Sequence, residues 1–220
     1  MFPPQGSTGA PAPPNLVSLV EPVPGSPLSA VQTDKHVIES PDGTRAEIVV
    51  TRRIMRDSAG RTRTETLAAG PPVATPLDVT ILDYSSRTIV TLLPAAKVAL
   101  RLKAPQSVAG FGIAVSGFPG ELRPGTPDSY TLELGTREMD GIEFRGSRVE
   151  KTNHTPGSVK SYTERWNSRS HGLALSLVVV SGSESHSLAL SDIRRGEPDP
   201  AFFEVPPGYA IRELQAAVRP

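Results

Sequence analysis

The chain has no cysteine among its 220 residues. It therefore has no thiol nucleophile, and disulfides, iron–sulfur clusters and cysteine-ligated zinc are excluded. It also has no excess of charge, because 23 lysines and arginines balance 23 aspartates and glutamates. Nucleic acids and anionic membrane surfaces bind proteins through uncompensated basic side chains, so the composition disfavours both as partners.

Long apolar runs are missing as well. The longest, Leu173 to Val180, is much shorter than the roughly 20 residues that a transmembrane helix needs. No lysine or arginine precedes Lys35, whereas a secretory signal begins with a basic segment. The sequence predicts no transmembrane segment and shows no signal peptide. We expect that an exported form has either lost its leader already or has a gene start that was misplaced.

Proline, by contrast, is abundant, and eight of the 23 prolines lie in the first 30 residues. Proline has no backbone donor and a fixed φ, so a proline-rich stretch neither joins a sheet nor forms a helix. We therefore predict a disordered N-terminal tail over residues 1–29, followed by a single domain over residues 30–215.

Alternation of apolar and polar side chains dominates that domain. Val98, Leu100 and Leu102, for example, alternate with their neighbours in 97–103, which is typical of a strand buried on one face. Glycine-containing turns separate roughly eight to ten such strands, and most strands pair with their neighbours in sequence. The prediction is an all-β fold, a curved antiparallel meander sheet that forms a half-open barrel.

Two segments interrupt the alternation. Residues 104–128 are rich in glycine and proline but contain Phe111 and Phe118; we predict a flap that lies on the sheet, because long loops without structure of their own are uncommon in compact domains. Residues 196–212 are predicted to form a C-terminal clasp, which Phe202 and Phe203 pin to the core. A short helix is expected over residues 211–218.

A row of large side chains suggests a ligand site. Tyr162, Glu164 and Trp166 alternate along one strand and so share a face. They form either a groove with an aromatic wall and one polar anchor, or a structural cluster in which Glu164 bonds Arg148 or Arg194 and Trp166 caps the core. The candidate ligand-binding residues are Tyr162, Glu164, Trp166, Phe111, Phe118 and Phe144.

The sequence contains no recognisable catalytic or metal-binding pattern. His36, His154, His171 and His186 do not have the close spacing of metal ligands on one strand or helix, so no metal site and no cofactor are predicted. A G-x-S-x-G elbow and a complete glycine-rich nucleotide loop are lacking too. We therefore predict that the protein is not an enzyme.

Several arginines surround the turn at residues 58–60. Arg56, Asp57, Arg61 and Arg63 form either a small anion site or an exposed cluster of ion pairs, and exposed pairs contribute little individually. The second interpretation is favoured.

Three motifs carry a resemblance to known proteins. They are RDSAGRTRTE from Arg56, SYTERWNS from Ser161 and SDIRRGEPDPAFFEVPPGY from Ser191. Over residues 25–212 the chain resembles a group of uncharacterised bacterial exported proteins. More distantly, its order of strands and its DPAFFEVPPG ending resemble the LolA-like lipoprotein-carrier superfamily. The resemblance implies a half-open barrel whose concave face holds acyl chains or a partner, and a periplasmic or extracellular location.

The chain departs from the carrier pattern because no long amphipathic helix is evident to fill the concave face. A flap, a lipid, a partner protein or a second copy must then cover it, since a lone sheet has to bury its apolar side. The leading hypothesis is a non-enzymatic cell-envelope protein that binds an apolar ligand or a lipidated segment there. The alternative is a protein–protein interaction or envelope-stress sensing module whose own side chains fill the core.

Overall fold

The computed structural model describes residues 18–68, 75–103, 121–152 and 161–215. The strands are β1 (Leu28–Glu39), β2 (Arg45–Arg56), β3 (Thr62–Leu67), β4 (Asp78–Asp83), β5 (Thr88–Leu93), β6 (Val98–Lys103), β7 (Ser129–Met139), β8 (Ile142–Lys151), β9 (Ser161–Ser168), β10 (Leu173–Ser181), β11 (Glu184–Arg195) and β12 (Ala210–Leu214). The helices of these ranges are single 3-10 turns at Pro94–Ala96, Arg169–His171 and Pro200–Phe203. None of them is long and apolar enough to cross a membrane.

All twelve strands belong to one sheet, in the order β12-β6-β5-β4-β3-β2-β1-β11-β10-β9-β8-β7. Neighbouring strands are antiparallel except for β12, which runs parallel to β6. Two meanders, β1–β6 and β7–β11, meet at the β1–β11 pair. This confirms the predicted all-β, curved and open antiparallel sheet, with twelve strands instead of eight to ten.

The register of the strands defines two faces, because residues directly opposite each other point to the same side. We call the face that carries Leu177 and its partner Leu188 the inner face, and the opposite one the outer face. One core cluster contains these two leucines with Val179 and Leu190, and extends to residues of β8 and β9. A second cluster lies on the outer face of β2 and β4–β6, and it includes Phe203.

The segment before β1 is folded onto the sheet. Leu19 and Val20 are fully buried, Val20 forms a bridge with Leu173, and the Leu19 N–H donates to Gln32 Oε1 at 2.8 Å. The predicted tail of 1–29 therefore does not extend through residues 18–29, while residues 1–17 lie outside the described part of the chain. Residues 19–21 bond to the start of β10 through their backbone, whereas the stretch that contains Pro22, Pro24 and Pro27 forms no strand.

The C-terminal clasp is present in a modified form. Phe203 is buried in the second core cluster, whereas Phe202 is 42% exposed, so one phenylalanine pins the clasp instead of two. The predicted helix at 211–218 is wrong at its start, because residues 210–214 form β12 and pair with β6. The free edge of β6 offers backbone partners that outweigh a weak helical pattern.

Arg56 is fully buried, which corrects the prediction of an exposed ion-pair cluster. Its guanidinium donates hydrogen bonds of 2.6–3.3 Å to backbone carbonyls of the N-terminal segment and of the turn before β10, namely those of Glu21, Ser26, His171 and Gly172. Burial lowers the pKa of Arg56 to about 10, so the side chain is still charged at neutral pH. It ties three separate parts of the chain together.

The other members of that cluster are also largely buried. Asp57 accepts from the Arg61 Nε at 2.6 Å and from the Arg61 backbone N–H at 2.8 Å, which closes the turn. Arg63 donates to Glu65 at 2.8 Å and to the Phe202 carbonyl at 2.7 Å. These ion pairs and hydrogen bonds thus hold the turn and the clasp in place. Asp57 and Arg63 are no more than 9% exposed.

Candidate functional site

The strand row Tyr162, Glu164 and Trp166 lies on the outer face of β9. Trp166 Nε1 donates to Glu164 at 2.8 Å, and Arg148 Nη2 donates to the same carboxylate at 2.6 Å. Burial alone would raise the pKa of Glu164, but these two hydrogen bonds hold it below its ordinary value. The Arg137 guanidinium lies 3.8 Å from the centre of the Trp166 ring. This is the structural cluster that the sequence analysis weighed against a ligand groove.

The rings of this cluster are already packed against protein. Phe144 is fully buried and Trp166 is 3% exposed. A Cβ at Gly146 would meet the Trp166 ring at 2.7 Å, so the indole lies directly on the backbone of β8. Phe111 and Phe118 lie outside the described residues. The row is therefore a weaker candidate for a ligand site than the inner face.

A pocket of about 470 Å³ lies across the sheet from this cluster, on the inner face of β8 and β9, because Ser147 in its lining is opposite Arg165. The lining residues belong to β7, β8, β9 and the turn after β9, and they include Glu133, Glu143, Arg145, Ser147 and Asn167. An apolar ligand requires mainly hydrophobic walls with few polar groups. The polar lining of this pocket therefore does not suit an apolar ligand.

Apolar side chains line the inner face of the β5–β6 wing. Ile89, Leu100 and Leu102 project there. Their opposite partners on the neighbouring strands lead, strand by strand, to Thr62 and Thr64 of β3, which point to the inner face. All three are partly exposed. In the described ranges the helices are single turns, so no long helix among those residues lies on this wing. These side chains form a partly exposed apolar surface on the inner face.

Polar atoms are set into the same face. The hydroxyls of Thr62 and Thr64 are buried and have no hydrogen-bond partner among the residues described here. A buried hydroxyl without a partner is unfavourable by roughly 1–3 kcal/mol. Thr62 and Thr64 are only 1% and 2% exposed, so a bound molecule would reach these hydroxyls only by displacing the groups that cover them.

The end of the predicted flap contacts the inner face near β9. The Leu122 N–H donates to Thr163 Oγ1 at 2.7 Å, and Glu121 forms an ion pair with Arg165. Thr163 and Arg165 are opposite Val179 and Leu177, which places both on the inner face. Residues 121–122 thus lie against the inner face of β9, while residues 104–120 of the predicted flap fall outside the described chain.

Three side chains with metal-binding chemistry meet at the β1–β11 junction. His36 and His186 are directly opposite each other, and their rings stack with centroids 3.8 Å apart. Glu184 approaches His36 Nε2 to 4.0 Å. Burial lowers the pKa of His186, and the neighbouring His36 lowers it further. The spacing of the histidines along the sequence does not reveal this group, because His36 and His186 come from two strands and the third member is a glutamate.

No protein-family model matches the sequence, and no curated protein matches it either. Among solved structures, the chain is similar to a LolA superfamily protein from Nitrosomonas europaea, with 15% identity and a TM-score of 0.36 over 83% of this chain and 92% of that one. LprF from Mycobacterium bovis has 10% identity and a TM-score of 0.35, over 80% and 90% of the two chains. The chain is also similar to a chain in the MucA/MucB complex of Pseudomonas aeruginosa, with 14% identity and a TM-score of 0.38. That match covers 80% of this chain and 55% of the other. At such low identities and TM-scores, the likeness defines neither a ligand nor a partner for this protein.

Proposed function

We propose that this protein is a non-enzymatic cell-envelope protein that binds an apolar ligand or a lipidated segment on its inner face. One observation carries the proposal: Ile89, Leu100 and Leu102 form a partly exposed apolar surface on a single sheet. A sheet with one apolar side is stable only when something covers that side. An acyl chain has the right chemistry to do so.

The energetics favour an amphiphile over a pure hydrocarbon. Each partly exposed leucine or isoleucine that a ligand covers contributes at most about 1 kcal/mol. A polar head group that displaced the cover of Thr62 and Thr64 would also supply partners for their buried hydroxyls. The bound molecule then resembles a fatty acid or a lipidated peptide, with its chain on β5–β6 and its polar end towards β3.

A fluorescence titration tests this proposal. A dansyl-labelled long-chain fatty acid is expected to bind the wild-type protein saturably. Ile89→Asp and Leu100→Asp each place a carboxylate on the apolar surface, and we expect each to weaken binding about tenfold or more, because burying an unpaired charge costs well over the 1.4 kcal/mol that corresponds to tenfold.

The matched control lies on the other side of the sheet. Val31 is partly exposed and stands opposite Arg53 on the outer face, so Val31→Asp is expected to leave probe binding unchanged. Circular dichroism checks that each variant is folded. Absence of saturable binding to the wild type, or equal losses in all three variants, contradicts the proposal.

A second candidate function is binding of a partner protein. The observation that favours it is the edge strand β7, the terminal strand of the sheet as described, where Tyr130, Leu132 and Met139 are 40–46% exposed. An exposed edge can accept a strand from another chain. Light scattering after size-exclusion chromatography tests for a homodimer, and Leu132→Lys is expected to reduce it. A wild-type monomer at high concentration argues against self-association at this edge.

The proposed location is the periplasm or the extracellular side of the envelope. It is supported by the motifs at Arg56, Ser161 and Ser191 that resemble exported bacterial proteins. Fractionation of the native host tests it: the protein is expected with periplasmic markers after osmotic shock, and recovery with cytosolic markers contradicts the location without bearing on ligand binding.

A further inference from the structure

The junction between the two meanders carries a group of side chains that neither the core nor the proposed ligand surface requires. His36 lies on β1, and Glu184 and His186 lie two residues apart on β11. All three project to the inner face, since His36 is opposite His186 and residues two apart on a strand share a side. Their candidate ligand atoms lie within 4.8 Å of one another.

The state of His36 is unusual for a histidine with no ligand. Its Nε2 is buried and makes no hydrogen bond to any described residue, and the nearest carboxylate oxygen, on Glu184, is 4.0 Å away. Buried polar side-chain atoms nearly always have a partner. A cation bound by this nitrogen, the carboxylate and the second imidazole would supply the partner that Nε2 lacks.

We propose that His36, His186 and Glu184 bind a single Zn²⁺ ion across the β1–β11 pair. Two imidazole nitrogens and one carboxylate oxygen are a ligand set that zinc accepts, with a fourth position left for water. Calcium and magnesium prefer sites made of oxygen atoms, so they are excluded as the intended ion. The absence of cysteine leaves histidine as the main nitrogen or sulfur ligand available.

The required rearrangement is confined to side chains. The rings are nearly parallel, with an interplanar angle of 13°, so their lone pairs do not yet converge on one point. In a tetrahedral site with Zn–N bonds of about 2.0–2.1 Å, two ligating nitrogens are about 3.4 Å apart. Because the ligand atoms already lie within 4.8 Å, rotation about the side-chain dihedrals brings them into place without moving either strand.

The position of the site gives the ion a structural consequence. In the described sheet, β1–β11 is the pair that connects the two meanders. The site lies near the end of that pair, where the Glu39 N–H donates to the Ser183 carbonyl at 2.9 Å. A bound ion cross-links the two meanders here and stabilises the folded state, because a ligand that binds only the folded chain shifts the unfolding equilibrium.

Isothermal titration calorimetry with ZnCl₂ tests the proposal on the full chain after removal of any affinity tag. The expected result is binding of one ion per chain, together with a higher thermal midpoint. His36→Gln and His186→Gln are each expected to raise the Kd at least about tenfold, since loss of even an outer partner of a metal ligand costs about 10–100-fold. Glu184→Gln is expected to weaken binding as well.

His171 provides the matched control. It lies in the turn after β9, where its Nδ1 contacts Ser168 and Ser170, so His171→Gln is expected to leave zinc binding unchanged. Wild-type NMR avoids any concern about variant folding, because Zn²⁺ should shift the imidazole signals of His36 and His186 and not those of His171. The proposal is overturned if the wild type binds no zinc, or if stoichiometric binding persists in the His36→Gln/His186→Gln double variant.

Discussion

Replacement of the buried Arg56 tests how the N-terminal segment is held on the sheet. Arg56→Met keeps an unbranched chain in place of the aliphatic part of the arginine but removes four hydrogen bonds to backbone carbonyls, of which three measure 2.8 Å or less. Hydrogen bonds from a charged group contribute roughly 1.5–3 kcal/mol each. Their sum is an upper limit, since neighbouring bonds are not additive and the variant no longer buries a charge.

Arg56→Met is therefore expected to lower the free energy of unfolding by about 3–5 kcal/mol. This is a large share of the roughly 5–15 kcal/mol that stabilises a typical domain. Urea denaturation followed by the fluorescence of Trp166 measures it. Arg45→Met serves as the control, because Arg45 is exposed and pairs with the exposed Glu47, and a change within about 0.5 kcal/mol is expected. A loss below about 1 kcal/mol for Arg56→Met refutes the reasoning.

Three further predictions concern the clasp and the Trp166 cluster. In urea denaturation, Phe203→Ala should lower the free energy of unfolding by about 3 kcal/mol, and Phe202→Ala should lower it by less than about 1 kcal/mol. Equal losses would contradict the conclusion that Phe203 alone pins the clasp. Gly146→Ala should cost about 1–3 kcal/mol through overpacking and red-shift the emission of Trp166, whose ring lies 2.7 Å from the new Cβ; unchanged emission refutes that contact. The folded state lowers the pKa of Glu164 below 4.5, so the urea midpoint should fall as the pH drops below 4.5. Glu164→Gln should make the urea midpoint less sensitive to pH in this range. An unchanged pH dependence in the variant would contradict the lowered pKa of Glu164.

The strands were predictable because their side chains alternate. The alternation in residues 97–103 becomes β6, and the alternation in 161–168 becomes β9. The pairing of Glu164 with Arg148 was one of two alternatives, and it forms because the two residues are directly opposite on β9 and β8. Such features depend on the alternation of side chains within a strand and on pairing between strands that are adjacent in sequence, and both can be inferred from the sequence.

Features that depend on distant contacts were not predictable in the same way. Leu19 and Val20 are buried because Arg56 and Gln32 bind the segment around them, whereas the prolines nearby predicted disorder. His36 and His186 meet through the β1–β11 register, which joins the first strand to the eleventh. Strand β12 forms because β6 has a free edge, and local helix propensity is too weak to compete with that pairing.

Native mass spectrometry of the protein taken from its own cell envelope, without detergent exchange, tests the central claim most directly. The account predicts a population with an added mass that organic-solvent extraction removes and identifies as an acyl-containing molecule, and it predicts loss of that population in Leu100→Asp. A single peak at the mass of the bare chain, from wild-type protein that remains folded and monomeric, would contradict a ligand-binding inner face.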